Sequence, residues 1–182
     1  MKYYVVDAFA EKLFEGNPAC VCVMDSWLSD NLMQSIAVEK NLSETAFAVK
    51  EKNHYKLRWF TPGGEIDLCG HATLGAGFVI SNFYEPSATE ITFSTMSGNL
   101  KVSCSDGLFT LNFPSRMPDP IALTQDMVDA LGVRPVECYL SRDIMFVMEN
   151  EEQVKNLSPD LDKLKKLPDG TGALVTASSK DY

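Results

Sequence analysis

The sequence predicts an α+β fold in which a highly curved sheet wraps one central helix. Three observations predict it. The first is the stretch Asp67-Leu68-Cys69-Gly70-His71-Ala72-Thr73-Leu74-Gly75-Ala76-Gly77, which runs into Phe78-Val79-Ile80 with no Asp, Glu, Lys or Arg between Asp67 and Glu85. A helix that is apolar all round is a buried one. At 1.5 Å per residue a helix over about 70–83 is ~21 Å long, too short to span a bilayer. Gly costs about 1 kcal/mol in a helix interior, so Gly75 and Gly77 beside Ala72 and Ala76 imply backbones that must approach closely. The second observation is the six or seven strand-like segments around that helix. The third is Pro114, Pro118 and Pro120, the best linker candidate in the chain. It divides the chain into 1–113, a complete barrel-like half, and 114–182, a partial second half.

The elements follow in order. Lys2–Phe9 is rich in Tyr and Val and reads as a strand. Glu15-Gly16-Asn17-Pro18 is a turn, and Ala19–Met24 a buried strand. Leu32, Met33, Ile36 and Ala37 share one face of a helix over Asp30–Lys40, with Ser29 as N-cap and an end near Asn41. Glu44–Val49 and Tyr55–Phe60 are strands. Thr61-Pro62-Gly63-Gly64 turns the chain toward Glu65-Ile66-Asp67 and the central helix. Glu90–Thr95, Asn99–Cys104 and Leu108–Phe113 are strands, with hairpin turns at Ser97-Gly98 and Asp106-Gly107. Beyond the prolines, Thr124 caps a helix that stops at Gly132. Val136–Leu140, Ile144–Met148 and Leu174–Thr176 read as strands, and Glu151–Leu157 and Asp160–Leu167 as short surface helices.

The net charge is −9, from 16 Lys+Arg against 25 Asp+Glu. That argues against nucleic acid or an anionic membrane as partner, since both need clustered cations. Five cysteines in no paired framework fit a reducing compartment, the cytoplasm. Cys20-Val21-Cys22 is too tight for zinc-ligand spacing. There is no HExxH or CxxC, no phosphate-binding glycine loop and no dinucleotide fingerprint. No metal and no cofactor is therefore expected.

Four places carry side chains with chemical potential. The central helix would present free N–H groups and the positive end of its dipole at Gly70-His71, an end that suits carboxylates and phosphates. His71 there either caps and packs, or stands as a neutral imidazole that orients a substrate carboxylate. Cys69 is either an inert buried thiol or a nucleophile or base favoured by the helix end. Glu44 is either a solvated edge charge or a carboxylate at the mouth of the core, where burial would raise its pKa for proton transfer. Asp67 is a plausible cap, and Arg58 and Glu65 a plausible ion pair across the turn.

Three motifs in order carry a resemblance: Glu15-Gly16-Asn17-Pro18-Ala19-Cys20-Val21, Leu42-Ser43-Glu44-Thr45-Ala46-Phe47, and Arg58-Trp59-Phe60-Thr61-Pro62 running into Glu65 and Asp67-Leu68-Cys69-Gly70-His71-Ala72-Thr73-Leu74. Together they resemble the phenazine-biosynthesis PhzF-like family, clearly over about 1–113 and more weakly over 114–182. The resemblance implies a diaminopimelate-epimerase-like fold of two pseudo-symmetric halves, each a curved sheet around a helix. It implies isomerisation of a small carboxylic acid without cofactor, with Glu44 shuttling a proton and Asn17, Gly70 and His71 in the substrate pocket. Cys-Gly-His is also similar to the Cys-Gly-Asn site of two-cysteine epimerases and racemases, which would make Cys69 a base.

The family's second motif, of the Asp-Pro-Val-Thr-Gly-Ser-Ala kind, does not follow Gly172–Ala177 here. The expectation is a C-terminally truncated chain. Three readings stay open: a PhzF-like isomerase using Glu44, a thiol epimerase or racemase using Cys69, and a non-catalytic truncated relative. An incomplete second half would leave strands such as Ile144–Met148 exposed, so a homo-oligomer is expected.

Overall fold

In the computed structural model, which describes residues 1–12 and 15–179, the first of two units, Met1–Phe113, is one sheet curled around one helix. Its strands are β1 (Lys2–Ala8), β2 (Asn17–Met24), β3 (Glu44–Glu51), β4 (His54–Thr61), β5 (Gly64–Ile66), β6 (Glu90–Thr95), β7 (Gly98–Ser105) and β8 (Leu108–Leu111). The order is β1-β2-β3-β4-β6-β7-β8, with β5 on β4. Helices α1 (Asp30–Lys40) and α2 (Gly70–Phe83) join the parallel pairs β2/β3 and β4/β6, because a parallel pair needs a long crossover. The other pairs are antiparallel, and those from β3–β4 onward close with short turns. At β7–β8 both Asp106 (φ 52°) and Gly107 (φ 81°) sit at positive φ, the backbone that a tight hairpin turn demands.

Alternation along β2 and β3 explains why both are apolar throughout. Ala19, Val21, Val23, Ala46 and Ala48 face α2, together with Tyr55, Leu57 and Trp59 of β4. Cys20, Cys22, Met24, Phe47 and Val49 face the other way, onto Met33 and Ala37 of α1. Burial on both faces replaces the usual apolar–polar alternation with continuous apolar runs. α1 is held at its ends as the sequence implies. The Ser29 hydroxyl accepts from the Leu32 N–H, and Asn41 takes the left-handed conformation at the C-cap.

The two glycines in α2 differ. A methyl at Gly77 would lie 2.6 Å from Val102 Cγ1 and 2.9 Å from Val102 Cβ, whereas one at Gly75 would sit 3.5 Å from Val6, in ordinary contact. Val102 has one stiff rotamer and cannot move away easily. Gly77→Ala is therefore expected to destabilise by about 1–3 kcal/mol through overpacking, while Gly75→Ala is neutral or stabilising through helix propensity. Urea denaturation of both variants checks this, and equal stability of the two would refute it.

The second unit, Pro114–Tyr182, carries a four-stranded sheet ordered β12 (Ala173–Thr176), β11 (Ile144–Val147), β10 (Glu137–Leu140), β9 (Asp119–Pro120). Its helices are α3 (Gln125–Leu131), α4 (Glu151–Lys155) and α5 (Leu161–Leu164), the last two shorter than the sequence pattern implied. The expected exposure of Ile144–Met148 is overturned. Ile144, Phe146 and Met148 are 0–1% accessible, because alternation turns them onto Met127 and Leu131 of α3 and β12 pairs along the strand. Strand β9 runs through the proline-rich segment and was not foreseen. Among the described residues no helix is long and apolar enough to cross a membrane.

Candidate functional site

Three chain segments begin side by side at one edge of the first unit. β2 starts at Asn17 and β3 at Glu44, and their parallel register sets Ala19 opposite Glu44. α2 starts at Gly70, with Cys69 as N-cap in extended conformation (φ −145°, ψ 124°). Parallel pairing puts both strand starts at the same end, and the helix packed on them brings its own start there.

His71 is the hub. Its Nε2 lies 3.1 Å from Glu44 Oε2 and 3.5 Å from Ser43 Oγ, and its Nδ1 lies 3.5 Å from Cys69 Sγ. Ser43 Oγ donates to Asn17 Oδ1 at 3.4 Å. The structure thus brings together Asn17, Glu44, Cys69 and His71. Ser43, which the sequence reading did not single out, links them; its place beside Glu44 in the second motif was the available signal. The His71 and Glu44 side chains are 10% and 17% accessible, and Cys69 is buried.

Two electrostatic expectations are reversed. His71 is pushed up to about 9, because Cys69 Sγ and the Glu44 carboxylate both favour the charged ring against the cost of burial. The positive helix end does oppose this charge, but two acceptors within 3.5 Å outweigh it, so His71 is an imidazolium and not a neutral ring. Glu44 is held below the ordinary carboxylate range, chiefly by its hydrogen bond with His71, which overcomes burial. It rests as a carboxylate. Oε2 is buried and faces the His71 ring nitrogen at 3.1 Å.

The Asp67 backbone carbonyl accepts from Ser97 Oγ at 2.8 Å. The N-cap residue is Cys69, whose side chain makes no hydrogen bond to the first turn. Arg58 does pair with Glu65, through two 2.6 Å bonds, and also reaches Asp30 at 2.8 Å. Gly70 abuts Phe113: a methyl there would come 3.1 Å from the ring. A hollow of about 380 Å³ opens beside it, walled by Phe9, Leu74, Phe109 and Phe113. Among the described residues, Glu44, Cys69 and His71 have donor types and spacing that could hold a cation.

The family model described as phenazine biosynthesis-like protein matches residues 6–181. An uncharacterized isomerase of Pseudomonas aeruginosa is 42% identical over 179 residues, which cover 98% of this chain and 69% of that one. The crystal structure of a phenazine biosynthesis protein of the PhzF family from Enterococcus faecalis superposes with a TM-score of 0.90 at 49% identity, covering 98% of this chain and 68% of that one. A predicted epimerase of Pseudomonas aeruginosa, 19% identical with a TM-score of 0.68, covers 93% of this chain and 68% of its own and shares the fold. The epimerase-like architecture implied by the sequence motifs is the one the chain adopts.

Proposed function

Because the chain belongs to the phenazine biosynthesis-like (PhzC-PhzF) family, we propose that it is a cofactor-independent isomerase of a small carboxylic acid, with Glu44 as the proton carrier. The carrying observation is the Glu44 carboxylate: ionised, mostly buried, and held 3.1 Å from the His71 ring at the start of the central helix. Glu44 takes a proton from a substrate carbon and returns it to another carbon, acting first as base and then as acid. His71, as imidazolium, keeps Glu44 ionised in the resting site and offsets the negative charge that develops on the substrate. The first turn of α2 receives the substrate carboxylate. The apolar hollow beside Gly70 suits the hydrocarbon part of a cyclic acid. All these residues lie within 1–113, and the chain spans 69% of the isomerase relative's length.

The test is turnover of a panel of small unsaturated cyclic and amino carboxylic acids by dialysed protein in D2O. The expected product is a double-bond or stereochemical isomer with solvent deuterium at the new C–H bond. Turnover that requires an added nicotinamide or flavin would refute the proposal.

One observation favours a second reading. Cys69 Sγ lies 3.5 Å from the His71 ring, the neighbourhood a thiolate base needs. In a thiol epimerase or racemase, Cys69→Ser abolishes deuterium incorporation at Cα; incorporation that persists in that variant excludes it. A non-catalytic carboxylate-binding relative is the third reading, and any isomer formed by the purified chain removes it.

We also propose a cytoplasmic homo-oligomer. Five unpaired cysteines fit a reducing compartment. Exposed Tyr3, Val5, Phe9 and Leu108 leave apolar surface along β1 and beside β8, which favours association. Light scattering at micromolar concentration is expected to give a multiple of the 20.1 kDa chain mass, and a monomer contradicts it.

A further inference from the structure

Glu44, Cys69 and His71 each offer a donor atom, and these atoms all lie within 4.8 Å of one another. We propose that the three side chains bind a borderline-soft divalent cation, zinc being the best fit, and that the bound ion blocks the proton-carrying site. In a tetrahedral zinc site the metal–sulfur and metal–nitrogen bonds of ~2.3 and ~2.1 Å set sulfur and nitrogen ~3.6 Å apart. Cys69 Sγ and His71 Nδ1 are 3.5 Å apart. Two of the three donors therefore already stand at the separation a shared ion requires. Cys69 is the N-cap of α2, in extended conformation, and its thiol lies beside the His71 ring.

The third donor is a Glu44 carboxylate oxygen of the same cluster. Glu44 Oε2 now faces Nε2 at 3.1 Å, and a rotation of the side chain turns the carboxylate from the ring to the ion. Ser43 Oγ, 3.5 Å from Nε2, is placed to receive the other ring N–H, as the second nitrogen of a ligating His usually finds a partner. Thiolate, imidazole and carboxylate together select zinc, cobalt or cadmium over magnesium or calcium. Three protein ligands leave a fourth position for water or a ligand oxygen. With its lone pairs on the ion, Glu44 no longer accepts a proton from carbon, so zinc is an inhibitor of the proposed reaction and not its cofactor.

Cobalt(II) is the probe, titrated into the chelator-treated 182-residue chain without substrate. Expected are the intense visible bands of a four-coordinate ion and a near-ultraviolet thiolate-to-cobalt band, saturating at one equivalent. Cys69→Ser removes the thiolate band. His71→Ala weakens binding by about a hundredfold or more, and Ser43→Ala by the ~10-fold typical of an outer partner. Cys104→Ser changes nothing. In the unsubstituted protein, zinc slows alkylation of Cys69 by iodoacetamide, read by peptide mass spectrometry, and a chelator restores it; this arm does not depend on any variant folding. Only the weak bands of a six-coordinate ion, a thiolate band that survives Cys69→Ser, or Cys69 alkylation unaffected by zinc would overturn the site. None of these readouts uses turnover, so the site stands or falls separately from the isomerase reading.

Discussion

Glu44→Gln is expected to lower turnover by about 10²–10⁴-fold, the range that one positioned acid–base group contributes. The amide keeps the shape of the carboxylate and can still accept from His71, so the loss falls on kcat while KM changes little. It cannot hold and return a proton, which is the role proposed for the Glu44 carboxylate. Far-UV circular dichroism of the variant is expected to match the unsubstituted protein, because Glu44 heads β3 through backbone pairing with β2 and not through its side chain. Cys69→Ser provides the contrast: it retains turnover if Glu44 carries the proton. A Glu44→Gln enzyme within tenfold of the unsubstituted rate removes the proposed mechanism.

The His71–Glu44 contact also makes stability depend on pH in a stated direction. His71 has an ordinary value of 6.5 and a folded value of about 9. Its raised value means that the folded form binds a proton the unfolded chain releases, so its contribution is fully present below pH 6.5 and is lost as pH rises through about 9. Glu44 works in the opposite sense. Its lowered value gives a contribution present above 4.5 and lost as pH falls through its depressed folded value. The shared interaction, counted once, is therefore complete between pH 4.5 and 6.5. Between 6.5 and about 9 the loss is on the order of 2–3 kcal/mol at 1.4 kcal/mol per pH unit. Urea unfolding at pH 6 and at about pH 9.5 measures it, and the difference between the two pH values is expected to shrink by that amount in His71→Gln, since other titrating groups are common to both proteins. An NMR titration of metal-free protein that puts His71 at or below 6.5 would refute the assignment.

Much of this was legible before any coordinates. An uncharged run holding Gly75 and Gly77 reads as a buried helix, and α2 is that helix, buried at Ala72, Thr73, Gly75, Ala76, Gly77, Val79 and Ile80 but with Phe78 and Phe83 exposed. The turn at Asp106-Gly107 and the cap at Ser29 were legible because each depends on a backbone need that few residue types meet. The unforeseen parts depend on distant partners. The Asp67 carbonyl accepts from Ser97 Oγ, a partner 30 residues away that no local pattern points to. Ile144–Met148 was expected to be exposed because the second half reads as incomplete, yet α3 and β12, from either side of it in sequence, cover it.

The site divides the same way. The residues themselves follow from the sequence: short motifs mark Asn17, Glu44, Cys69, Gly70 and His71, since each motif is local. The state of those residues follows from the tertiary structure alone. A helix end taken by itself makes His71 neutral, and a core mouth taken by itself makes Glu44 a weak acid. Contacts of 3.1 and 3.5 Å reverse both, because a direct hydrogen bond between opposite charges outweighs a helix dipole and partial burial. The same convergence sets one carboxylate from β3 against a thiol and an imidazole at the head of α2. No linear metal motif contains that set, since its members come from two segments that only the parallel pairing of β2 with β3, and the packing of α2 upon them, brings to one place.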